Sequence, residues 1–109
     1  MTTITFVKNQ NGEYKRFTCQ GHAGFAEKGY DIVCAAVSCL VINTINSMDE
    51  LAHEDLEITT DEKRGVINCS IRRSLSQKGI LLMDSLVLGL KGIAADYNEK
   101  FLELKFKEV

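Results

Sequence analysis

Asp31-Ile32-Val33-Cys34-Ala35-Ala36-Val37-Ser38-Cys39-Leu40-Val41-Ile42-Asn43-Thr44-Ile45-Asn46-Ser47-Met48 places Val33, Val37, Leu40, Val41, Thr44, Ile45 and Met48 at the three- and four-residue spacing of a helix face. This spacing predicts a helix from Ile32 to about Leu51. Its first half is apolar over most of its circumference, so the helix is central in its domain or also faces a second subunit. The segments on either side decide the architecture. Upstream, Ile4 and Phe6 alternate with polar neighbours and Asn11-Gly12 supplies a tight turn. Glu13 to Cys19 then sets Lys15, Phe17 and Cys19 on one face, which makes an N-terminal hairpin. Downstream, Leu56 and Ile58 alternate before a polar turn from Asp61 to Gly65, and Ile67, Cys69 and Ile71 alternate after it.

Ser74 to Gln77 spells a capping box for a second helix, whose stripe is Leu75, Met83, Leu86, Val87, Leu90, Ile93, Ala94 and Tyr97. Gly79, Gly89 and Gly92 each weaken that helix by about 1 kcal/mol relative to alanine, and close backbone packing would account for them. Leu102, Leu104 and Phe106 then alternate with charged residues as a half-buried strand. The order is ββαββαβ: one α+β domain over residues 1–109, two-layered, with two helices on a mainly antiparallel five-stranded sheet.

Composition narrows the function. A chain of 109 residues with 45% hydrophobic content can bury one core and has no room for a separate cofactor domain. Thirteen basic and fifteen acidic residues, mixed along the chain for a net charge of −2, form no basic stripe, so direct nucleic-acid binding is not expected. The start, Met1-Thr2-Thr3-Ile4-Thr5, lacks a basic region followed by an apolar core, so export is not expected. The apolar runs are interrupted by polar residues or glycine and are expected to fall short of a membrane span. A cytoplasmic protein is the expectation, with its four cysteines as free thiols.

Cys34 is the most reactive candidate among those thiols. With Asp31 as N-cap, Cys34 would be the third helical residue, among unpaired backbone donors and beside the positive end of the helix dipole. Such a site favours thiolate over thiol. His22 lies in a glycine-bearing loop just before the helix, where it is either a polar loop residue or, carried to the sulfur by the flexible backbone, its proton donor and acceptor. His53 is about 28 Å further along at 1.5 Å per residue, too far to serve Cys34 in the same chain, and suits a helix C-terminus instead. Cys19 and Cys69 fall on apolar strand faces as core residues. Cys39 points about 140° away from Cys34 at 100° per residue. Ser38 shares the Cys34 face, where it either bonds near the sulfur or bonds its own backbone. A zinc site from Cys19, His22, Cys34 and Cys39 fails because Cys34 and Cys39 diverge. No metal or cofactor is expected.

Gly21-His22-Ala23-Gly24 and Asp31-Ile32-Val33-Cys34-Ala35-Ala36-Val37-Ser38, in a chain of this length and element order, resemble the bacterial ribosomal-processing cysteine proteases of the Prp family. The resemblance implies a cytoplasmic, homodimeric endopeptidase that removes a short N-terminal extension from large-subunit ribosomal protein twenty-seven, cutting after an aromatic-rich segment. His22 and Cys34 would be its catalytic pair. It implies a mobile loop, Phe25 to Tyr30, closing over bound peptide, with Gly21, Gly24, Phe25, Gly29 and Tyr30 around the substrate. Gly24 and Gly29 would be its hinges, although Phe25 and Tyr30 could equally pack beneath the loop. Asp31 either caps the helix or orients His22. Two other classes use the same residues: a non-catalytic, ribosome-associated binding module with Cys34 buried, and a thiol redox sensor, which needs a nearby resolving thiol.

Overall fold

The computed structural model describes residues 1–21, 30–96 and 101–109, with Tyr30 and Asp31 described by backbone alone. The strands are β1 (Thr2–Lys8), β2 (Tyr14–Gln20), β3 (Leu56–Asp61), β4 (Val66–Ile71) and β5 (Leu102–Glu108). The helices are α1 (Tyr30–Glu50) and α2 (Gln77–Asp96), so the order is ββαββαβ as expected. The sheet runs β3-β4-β2-β1-β5, antiparallel except where β5 pairs in parallel with β1.

Register puts the core on one face of the sheet. Ile4 lies opposite Cys19, Phe6 opposite Phe17, and Phe17 opposite Cys69. These residues form one cluster with Val33, Val37, Val41 and Met48 of α1 and Met83, Leu86 and Leu90 of α2. Phe6 is fully buried, with the rings of Phe106, Phe17 and Tyr14 centred 5.5, 5.7 and 6.4 Å away. Emptying that position would cost about 3–5 kcal/mol. By length and composition alone Ile32–Glu50 is apolar enough to cross a membrane, contrary to the sequence expectation. Here Val33, Val37, Val41, Thr44 and Met48 supply the buried face of α1, and the helix is a layer of the two-layer domain.

Four local expectations need correction. Lys15 does not share the face of Phe17 and Cys19: Val7 pairs with Arg16 and Lys8 with Tyr14, so Lys15 is the extra residue of a β-bulge. The bulge returns Tyr14 to the core, where its hydroxyl donates to Asp84 of α2 at 2.6 Å. α1 is already under way at Tyr30, two residues before the expected Ile32, which puts Asp31 inside the first turn. The cap of α2 is Ser76, whose Oγ accepts from the Gly79 N–H at 3.3 Å, and Ser74 is not the cap. Ser76 is itself held by the Glu54 carboxylate, which accepts from its N–H and its hydroxyl. Finally, a side chain at Gly79 would strike Glu54 and one at Gly89 would press on Leu40, but Gly92 has nothing within 4 Å. Close packing explains two of the three helix glycines.

Candidate active site

β2 ends one residue before Gly21, and two glycines close that end onto the β3–β4 turn. The Gly21 N–H donates to the Gly65 carbonyl at 3.0 Å. Gly65 has φ +64°, and a side chain there would collide with the Gly21 carbonyl. A side chain at Gly21 would in turn press on Thr2 Oγ1 at 3.0 Å. A Cβ has no room at Gly65 and would need Thr2 to give way at Gly21, so the chain end of β2 and the hairpin turn form a continuous wall.

Facing that wall is the start of α1, and between them lies a pocket of about 360 Å³. Cys34, Val37 and Ser38 line it from the helix; Thr2, Cys19 and Gly21 line it from β1 and the end of β2. The hairpin contributes Thr60, Asp61, Glu62, Gly65, Val66 and Ile67. Cys34 is half-buried and Ser38, one turn on, opens into the same space. Cys39 is exposed and lines no part of the pocket, so a zinc set containing both Cys34 and Cys39 does not converge. Among the described residues no three His, Cys, Asp or Glu side chains gather as a metal site.

Because α1 starts at Tyr30, Cys34 is its fifth residue and not its third. The unpaired N–H groups belong to the turn just before it. Side chains on a helix lean toward its N-terminus, so the thiol of Cys34 is carried back over that turn. The positive end of the helix dipole therefore lies beside Cys34 in this register as well. By contrast, burial pushes the Cys19 thiol up to about 11, with the charge of Cys34 adding to the effect, and burial pushes Cys69 up to about 12. Among the described residues the charged side chains lining the pocket are Asp61 and Glu62, and Asp61 has Arg64 at 3.7 Å.

His22, Gly24, Phe25 and Gly29 lie outside the described residues, as do the side chains of Tyr30 and Asp31. His53 stands beyond the end of α1, in a left-handed conformation with φ 54°, remote from the Cys34 end. The hairpin wall and Thr2 are the parts that sequence reasoning did not assign to the site. The turn from Asp61 to Gly65 was legible, but the pairing of Cys19 with Ile67 and Gln20 with Val66 that brings it to Cys34 is a long-range register.

Comparison with known proteins bears on this arrangement directly. The family model for the cysteine protease Prp matches residues 1–101. The ribosomal processing cysteine protease Prp of Bacillus subtilis (strain 168) is 33% identical over 103 residues, covering 91% of this chain and 92% of that one. Its Staphylococcus aureus counterpart is 27% identical over 107 residues, covering 98% and 100%. Among solved structures, the S. aureus ribosomal processing protease Prp in complex with a substrate peptide superimposes with a TM-score of 0.91 at 25% identity, covering 98% of this chain and all of that one. SMU.848 from Streptococcus mutans gives 0.87 at 31% identity, covering 100% and 96%. With a cysteine-bearing pocket at the head of its central helix and relatives over nearly its whole length, the chain belongs to the Prp family of ribosomal-processing cysteine proteases.

Proposed function

We propose that this cysteine protease removes the N-terminal extension of large-subunit ribosomal protein twenty-seven, in the cytoplasm and as a homodimer, with Cys34 as nucleophile and His22 as acid and base. The observation that carries the assignment of Cys34 is its position: it is half-buried on the one helix start that opens into the 360 Å³ pocket. Cys19 and Cys69 are core thiols with raised pKa values, and Cys39 is exposed away from the pocket.

In this mechanism the Cys34 thiolate attacks the scissile carbonyl carbon and the C–N bond breaks as His22 protonates the departing amine. The unpaired N–H groups of the first turn of α1 are assigned as backbone donors for the oxyanion. His22 then takes a proton from water as the water oxygen bonds to the acyl carbon, the C–S bond breaks, and the new carboxyl group leaves, with the Cys34 sulfur and protonated His22 restored. Val37, Val66, Ile67 and Cys19 give the pocket an apolar wall suited to an apolar or aromatic side chain beside the cut. Asp31, a first-turn residue, is assigned to orienting His22.

The test is mass spectrometry of a recombinant ribosomal protein carrying its extension, incubated with wild type, Cys34→Ala and His22→Ala. One defined cut near the extension boundary, absent with both variants, is the expected result. An intact substrate with folded wild-type enzyme and a verified free thiol would overturn the substrate assignment.

A further inference from the structure

Cys19 makes or breaks no bond in the proposed peptidase mechanism, where it is only part of the apolar pocket wall, and on sequence alone it is a core residue. The structure gives it a second feature: it lines the same pocket as Cys34, from β2 on one side while Cys34 comes from α1 on the other. It is 8% exposed, so it has access to the pocket and almost nowhere else. Cys69 is completely buried and does not line the pocket, and Cys39 faces outward from α1. Of the other three cysteines, Cys19 is thus the one that shares a cavity with the nucleophile.

We propose that Cys19 is a resolving thiol for Cys34: when a hydroperoxide oxidises Cys34, Cys19 closes a reversible disulfide onto it and switches the protease off. The proposal rests on Cys34 being the reactive thiolate. In the first step Cys34 sulfur attacks the distal oxygen of the hydroperoxide, the O–O bond breaks, and an alcohol or water leaves after taking up a proton. Cys34 becomes a sulfenic acid and the peroxide is reduced by two electrons. In the second step the Cys19 sulfur attacks the Cys34 sulfur, the S–O bond breaks, and the Cys19 proton leaves with the hydroxyl as water.

Two features fix how such a switch behaves. Cys19 is almost closed off while Cys34 is half-buried, so an oxidant entering the pocket meets Cys34 first. The two residues come from opposite layers onto one pocket, and a disulfide between them needs Cβ atoms about 3.8 Å apart.

The experiment uses the full chain in a Cys39→Ala background, treated with a small excess of hydrogen peroxide, digested and mapped by mass spectrometry without reduction. The expected product is a Cys19–Cys34 crosslink, two hydrogens lighter than the reduced pair, with peptidase activity down at least tenfold and restored by dithiothreitol. Cys19→Ala and Cys19→Val, each checked for folding by circular dichroism, should instead gain oxygen atoms on Cys34 and recover little activity. Oxygenated Cys34 with no crosslink in the Cys19-containing chain overturns the proposal. Equal recovery by that chain and both variants also overturns it. Peptidase activity persisting in untreated Cys34→Ala would instead refute the nucleophile assignment, which separates the two failures.

Discussion

At Cys34 the proposed chemistry turns on the direction of a Cα–Cβ bond. The motif around Asp31 and Cys34 made the cysteine at the head of α1 legible, but the exact turn was not, because a cap is set by backbone geometry that begins at Tyr30, beyond what side-chain chemistry announces. With Asp31 in the first turn of α1, the role proposed for it is to orient His22. Asp31→Asn should therefore lower kcat at least tenfold while leaving the thermal midpoint within a few degrees. Retained turnover in steady-state kinetics would remove that role. The buried thiols carry a separate consequence. Cys19 and Cys69 have an ordinary value of 9.0 and are raised to about 11 and about 12 in the fold. The folded state thus holds its protons more tightly than the unfolded one. Stability is intact below about pH 9 and is lost as pH rises through about 11 to 12. Urea midpoints measured from pH 8 to pH 11 should fall, and less steeply in Cys69→Ala than in wild type.

Every strand and helix was legible as an element, because a period of two or of 3.6 survives without knowledge of the partner. What failed was detail set by a partner. Ser74 and Ser76 both stand before α2, and it is the Glu54 carboxylate, arriving from the turn after α1, that holds Ser76 in the capping position. Ser76→Ala should cost about 1 kcal/mol in urea unfolding, while Ser74→Ala should stay within about 0.5 kcal/mol. The glycines of α2 divide in the same way. Gly92→Ala meets nothing within 4 Å and should stabilise the protein by about 0.5–1 kcal/mol, whereas Gly79→Ala would drive a methyl group into Glu54 and should destabilise it. Lys15 was misplaced because a bulge shifts strand alternation by one residue, and only the register against β1 shows it.

Across the whole molecule, the site is a meeting of three distant pieces: the start of α1, the end of β2 and the β3–β4 turn. Sequence patterns gave each piece but not their convergence, which depends on the β2–β4 pairing. The proposed homodimer also belongs to this scale. α1 keeps Ile32 and Ile42 66% and 49% exposed on the side away from its core face, in keeping with the apolar breadth of its sequence. Sedimentation equilibrium at micromolar concentration should give twice the chain mass, and a monomer there would withdraw the claim. The central claim is that Cys34 in this pocket is the nucleophile of the protease, and the most direct measurement is mapping of the residue modified by a peptide chloromethyl ketone built on the extension sequence. The account predicts one adduct per chain, on Cys34, with complete loss of cleavage. An adduct on Cys39 or Cys19 accompanied by loss of cleavage, or full labelling of Cys34 with cleavage intact, would contradict it.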